Sequence, residues 1–167
     1  MSVMPGIAPL LAEVRGNFYR EVDRDRANTA LAGSHRPARY SRADQPTLYL
    51  SSSPSGVDAA MQAHRHGERP RIVLTFGLGA ASVFDLREAE ALAMVRREAG
   101  DPLGDWQRAL AHSETPSSWR ARDWIEASGA VGLIDPSRRA AGLWHLVLFR
   151  WNEAGAPTIH ALNALPD

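Results

Sequence analysis

HRPARYSRADQPTLYLSSSPSG, residues 35–56, sets an arginine-bearing extended segment against a tyrosine-bearing one. Successive side chains on a strand point to opposite faces, so Leu48 and Leu50 share one face while Thr47, Tyr49 and Ser51 share the other. Arg39 likewise points away from Ala38 and Tyr40. The spacing predicts two short strands, PARYS and TLYLSS, separated by the turn SRADQP, where Pro46 limits continuation. Both strands then turn a charged or phenolic side chain toward the more polar side. SSPSG beyond them starts a helix, with serines placed as N-caps.

That helix carries Val57, Ala60, Met61 and His64 on one face, with Asp58 and Gln62 four residues apart on another. Upstream, residues 7–15 read as a short helix, GNFYREV as a first strand and residues 23–36 as a polar loop. Downstream, RIVLTF is a strand, and DLREAEALAMVRREAG is a helix with Asp85 and Glu88 at capping-box spacing and Gly100 at its end. Residues 101–118 mix a short helical piece with loop, and SWRARDWIEASG is a further amphipathic helix. AVGLIDPS is a strand ending in a turn. LWHLVLFRW is apolar on both faces, which predicts a central strand, and APTIHAL is one more. Strands and helices interleave without a steady βα rhythm, so the predicted class is α+β in a single domain covering residues 1–167.

Composition narrows the function classes. The chain has 167 residues, enough to bury a sizeable core. Its formal net charge is +0, which gives no general attraction to nucleic acid or to an anionic membrane. Every basic residue other than histidine is an arginine, which rules out Schiff-base and P-loop lysine chemistry. Without cysteine there are no disulfides, thiolate nucleophiles or cysteine-based zinc sites, and nothing points to an oxidising compartment. No stretch nears the roughly 18 apolar residues of a membrane span. The expected location is the cytoplasm.

Local motifs settle little. RIVLTFGLGAAS runs a strand into Gly77-x-Gly79, with Ser82 at the third position of a dinucleotide fingerprint. VFD intervenes before the helix, however, so a plain strand-to-loop glycine turn is the better reading. His64 and His66 are two residues apart, face different ways on a helix and form no HExxH pattern; no metal site is expected. The tryptophans at 106, 119, 124, 144 and 151 fit core and rim packing better than a stacking platform for nucleic acid. No G-x-S-x-G elbow exists for a serine hydrolase. Arg39, Tyr49 and Ser137 each have an ordinary structural alternative: a salt-bridged edge arginine, a packing tyrosine and a turn serine.

Their joint order carries more. FYREV, the loop LAGS, ARY, LYLSSSP, a helix, a DL segment and GLIDPSRRAAGLWHLVLF follow one another as in the RES domain. The chain resembles that family of NAD+-degrading toxins from bacterial toxin–antitoxin systems over residues 18–150. The resemblance implies an ADP-ribosyltransferase-like fold with small mixed or antiparallel sheets around an NAD+ cleft. It implies that Arg39 and Tyr49 act in catalysis, and that Arg39, Tyr40, Tyr49 and Ser137 contact the dinucleotide. NAD+ is then the substrate, without a metal, and inorganic phosphate or water is the acceptor. An Xre-like antitoxin is the expected partner.

The residue types suit that chemistry. A guanidinium offers a planar fork of donors for phosphate oxygens, and an aromatic ring offers a face to a planar heterocycle. Cleavage of the nicotinamide–ribose bond passes through an oxocarbenium-like state that a carboxylate stabilises. The family pattern has a glutamate ten or eleven positions after the tyrosine, where this chain has Ala59 and Ala60. Asp58 and Gln62 are the substitutes expected to stand in. That departure leaves two other readings open: a catalytically weak nucleotide-binding or partner-binding protein, and a protein ADP-ribosyltransferase.

Overall fold

Alternating apolar residues build a small closed barrel. The computed structural model describes residues 6–55, 69–138 and 140–163. The helix expected through Val57, Ala60, Met61 and His64, with Asp58, Gln62 and His66, lies outside them. Six strands are formed: β1 (Leu11–Asp23), β2 (Leu48–Ser51), β3 (Arg71–Asp85), β4 (Gly132–Pro136), β5 (Trp144–Leu148) and β6 (Ile159–Ala161). Their order is β1-β2-β5-β4-β3-β6, and β1 also pairs with β3. The ring therefore closes through β1, β2, β5, β4 and β3, with β6 added on β3. All pairings are antiparallel except β3–β4. The class is α+β, as expected, and β5 lies between β2 and β4, buried on both sides.

Period-two alternation divides the core in two. Phe18, Leu48, Leu50, Leu74, Phe76, Ile134, Leu146 and Leu148 pack inside the barrel. The intervening residues, among them Leu133 and Val147, face outward and pack with Tyr40, Phe84, Ala91, Val95, Ala121 and Ile125. Helices α1 (Ala89–Glu98) and α3 (Ser117–Ala127) cover that outer side, with the short α2 (Trp106–Ala111) between them in sequence. Burying two such clusters supplies the main stabilisation, at about 25 cal/mol per Å² of apolar surface.

Several local expectations need correction. Residues 7–15 are not a helix: Ala8–Leu10 form one 3-10 turn and β1 begins at Leu11. β1 is bulged between Val14 and Gly16 as it pairs with β3, and that bulge blurs the alternation on which a strand reading depends. Residues 24–32 are 3-10 helical rather than loop. The glycines of GLGAAS do not end a strand, since β3 runs through them to Asp85. Bare glycine at Gly79 leaves room for the segment leading into β6, where a Cβ would sit 2.8 Å from Thr158 Oγ1. Asp85 and Glu88 form no capping box: the helix N-cap is Glu88, without a side-chain cap bond, while Asp85 accepts from the backbone and side chain of Arg87.

Four tryptophans do pack as core and rim. Trp144 meets Phe18 edge-on, and Trp124 meets Phe84. Trp151 and Trp119 each donate an indole N–H to a backbone carbonyl. Among the described residues no helix is long and apolar enough to cross a membrane.

The barrel's tightest seam is β4–β5. A Cβ at Gly132 would stand 2.3 Å from the Val147 carbonyl oxygen, a backbone atom that cannot step aside. Gly132→Ala is expected to destabilise the fold by about 1–3 kcal/mol, lowering Tm by roughly 3–10 °C. Thermal unfolding followed by circular dichroism measures this, and an unchanged Tm would refute the seam as described.

Candidate active site

PARYS is not a strand. Ala38 and Ser41 close a tight turn by exchanging backbone hydrogen bonds of 2.9 and 3.3 Å, with Arg39 and Tyr40 at its tip. Such an isolated turn has no ladder to hold it, and helix α3 does so instead. Three successive carbonyls are taken: Trp119 Nε1 donates to Ala38 O at 2.8 Å, Ser118 Oγ donates to Arg39 O, and Arg122 Nη1 donates to Tyr40 O at 2.8 Å. Arg42 adds a bidentate pair to Asp123 at 2.9 and 2.8 Å.

Arg122 is the centre of this clamp. It is 2 % exposed, and a buried charge must be fully partnered. Its Nη1 also donates to Thr47 Oγ1 at 3.1 Å, its Nε pairs with Glu126 at 2.8 Å, and its guanidinium lies 4.4 Å from the centre of the Phe149 ring. Its partners therefore span the turn, the start of β2 and the end of β5.

Tyr49 reaches the same turn from β2. Its hydroxyl accepts the Tyr40 N–H at 3.2 Å and shares a 2.7 Å hydrogen bond with Ser41 Oγ. The face it occupies is not the polar side expected: Tyr49 packs against the outer apolar cluster. Burial raises its phenol pKa, against the lowering effect of the Ser41 and Tyr40 bonds. Arg39 is half-buried, with Nη1 donating to Gly104 O at 2.8 Å. Its pKa is lowered by burial and by the charge of Arg138, against Tyr40, Asp135 and Asp105.

Next to these runs a polar row that sequence reasoning missed. Register places Tyr19, Ser51, His145 and Asp135 side by side across β1, β2, β5 and β4. Ser51 Oγ lies 3.1 Å from His145 Nδ1. Asp135 accepts the Tyr40 hydroxyl at 2.7 Å and a bidentate pair from Arg138 at 3.1 and 3.2 Å. Burial and the Asp135 charge push the Tyr40 phenol well up. Burial lowers the His145 pKa from 6.5, against the pull of Asp135, so the imidazole is neutral at pH 7. Arg20, on β1, has Nη1 buried without a hydrogen-bond partner among the described residues; burial lowers its pKa, against the raising effect of Tyr49. The one sequence signal for this row was period two, which marks a face but not its neighbours.

Of the residues named from sequence, then, Tyr49 bonds the turn that carries Arg39 and Tyr40, while the Arg39 guanidinium itself bonds Gly104 O. Ser137 follows Asp135 by two residues at the end of β4, where its Oγ accepts the Ala140 N–H at 3.3 Å. Asp58 and Gln62 lie outside the described residues. Beyond Gly104 is a separate cavity of about 410 Å³ between α2 and α3, lined by Asp105, Arg108, His112, Glu114 and Arg120 among others. None of the candidate site residues named from sequence lines it.

Comparisons with known proteins bear on this geometry. The RES domain family model matches residues 17–166. A chain in the crystal structure of the M.tuberculosis MbcT-MbcA toxin-antitoxin complex has a TM-score of 0.52 at 18 % identity, covering 92 % of this chain and 87 % of that one. At that identity the likeness concerns the fold. No curated protein sequence matches the chain.

The clamp has a direct test. Arg122→Met leaves Tyr40 O and Thr47 Oγ1 without that donor inside the fold, and should cost about 3–5 kcal/mol in urea unfolding. Trp119→Phe removes one bond to the turn and should cost about 1 kcal/mol. Equal small losses would mean that Arg122 is not the centre.

Proposed function

The chain belongs to the RES domain family, and from this we propose that it is the toxin of a bacterial toxin–antitoxin pair and cleaves NAD+ at the nicotinamide–ribose bond. The observation that carries the reading is that the family match includes both the Arg39–Tyr40 turn and Tyr49, whose hydroxyl bonds that turn. The Arg39 guanidinium spends Nη1 on Gly104 O, which leaves donors for a phosphate oxygen of the dinucleotide. The Tyr49 ring offers its face to the nicotinamide side. Nicotinamide departs with the bonding electron pair, and phosphate or water adds to the ribose carbon it leaves. The products are nicotinamide with ADP-ribose 1″-phosphate or ADP-ribose, and a proton. Burial around Tyr49 excludes water from the developing oxocarbenium charge, which strengthens whatever negative groups face it. An Xre-like antitoxin that covers the cleft would hold the activity off.

A second reading is favoured by Ala59 and Ala60, which stand where the family pattern has its glutamate. Without a preorganised carboxylate, turnover falls by roughly 10²–10³, and a nucleotide-binding or partner-binding protein results.

Incubation of the purified protein with NAD+, with and without phosphate, separates the two. Nicotinamide release that is lost in Arg39→Ala and reduced at least about tenfold in Tyr49→Ala supports cleavage. Calorimetric binding without release over hours supports the second reading. Transfer of labelled ADP-ribose to a protein would replace both with a protein ADP-ribosyltransferase.

A further inference from the structure

Arg138 has no part in the reading above, yet its placement is specific. Asp135 carries both sides of the arrangement: Oδ1 accepts the Tyr40 hydroxyl at 2.7 Å and Arg138 Nη2 at 3.1 Å, and Oδ2 accepts Arg138 Nη1 at 3.2 Å. The carboxylate side chain is 8 % exposed and that of Arg138 is 36 % exposed. The carboxylate is thus the floor and the guanidinium stands at the surface. Tyr40, the third member, is the chain neighbour of Arg39.

For stability alone this is a poor arrangement. A second guanidinium near Arg39 opposes its charge, and Arg138 is among the groups that lower the Arg39 pKa, after burial. Burial would lower Arg138 too, but the charge of Asp135 and its hydrogen bonds outweigh this and hold the Arg138 pKa above its ordinary value. Asp135 is thus shared by the two guanidiniums, while Asp105 acts on Arg39 as well. An anion between them relieves the remaining repulsion. Arg138 spends one N–H of each terminal nitrogen on Asp135 and also bonds the Tyr40 hydroxyl, and the rest of its fork remains for a ligand. The bidentate pair fixes the plane of the fork, which reduces the freedom lost on binding.

We propose that Arg138, oriented by Asp135 and Tyr40, forms with Arg39 a two-guanidinium clamp for a diphosphate group. This rests on the reading of the Arg39 turn as a dinucleotide site and assigns the diphosphate's second contact. Arg138 is the ligand-binding member; Asp135 and Tyr40 are positioning residues.

Calorimetric titration of the full chain with inorganic pyrophosphate, and separately with NAD+, tests it. Arg138→Gln should weaken pyrophosphate roughly ten- to a hundredfold and flatten the dependence on salt. Arg138→Lys should recover part of this, since a point charge lacks the fork. Arg15→Gln, on the exposed end of β1, should change nothing. Asp135→Asn is the discriminating variant. Removing a negative charge would by itself strengthen anion binding, whereas loss of the orienting pair should weaken it. Tighter pyrophosphate binding in Asp135→Asn, or unchanged binding in Arg138→Gln alongside loss in Arg39→Ala, overturns the clamp and leaves the dinucleotide reading standing. Pyrophosphate binding lost in Arg138→Gln, in a protein that releases no nicotinamide, supports the clamp and removes the cleavage reading. Wild-type protein that binds neither ligand overturns both.

Discussion

The hydrogen bond from the buried Arg122 guanidinium to the Tyr40 carbonyl, 2.8 Å long, ties the helical layer to the turn that carries Arg39 and Tyr40. Arg39 and Tyr40 sit at the tip of a turn that belongs to no sheet. No strand ladder fixes such a turn; among the described residues, only the side chains of Tyr49 and Asp135 reach it from the barrel with hydrogen bonds. Arg122 links it to β2 through Thr47 and to β5 through Phe149, while Ser118 and Trp119 take the adjoining carbonyls. Helix α3 is therefore a bracket, and its polar face does as much as its apolar one.

The barrel decides where that bracket can stand. Five strands close a ring whose interior is filled by side chains such as Phe18, Phe76 and Leu146, so a ring of this size has no room within for a ligand. Any ligand has to sit outside, where Tyr49, Val147 and Leu133 form an apolar row beside the polar row of Ser51, His145 and Asp135. The apolar row gives low dielectric and the polar row gives charge. Their proximity accounts for the directions in which the Tyr40, Tyr49 and His145 pKa values move, each dominated by burial.

Sequence periodicity revealed the barrel strands wherever both faces differ or both are apolar. Leu48 and Leu50 against Tyr49, and the doubly apolar LWHLVLF, are legible on this basis. β1 was half hidden because its bulge at Gly16 shifts the alternation, and β3 because its glycines resemble a turn. Arg39 and Tyr49 stood out through their order in the chain rather than through any local pattern. Asp135, His145 and Arg122 could not be found in that way. The bond from Tyr40 to Asp135 joins residues 95 apart, and that from Arg122 to Tyr40 joins residues 82 apart. Such contacts follow from strand register and helix docking, which no short window of sequence contains. Arg122 in particular reads as one more charged residue on a solvated helix face until the turn it holds is known.

The proposed NAD+ site is tested most directly by backbone amide NMR during a titration with NAD+. Shifts concentrated at residues 38–41, 49–51 and 135–145 are the predicted result. Shifts confined to the cavity lined by Asp105, Arg108 and Arg120, or no shifts at saturating NAD+, would contradict it.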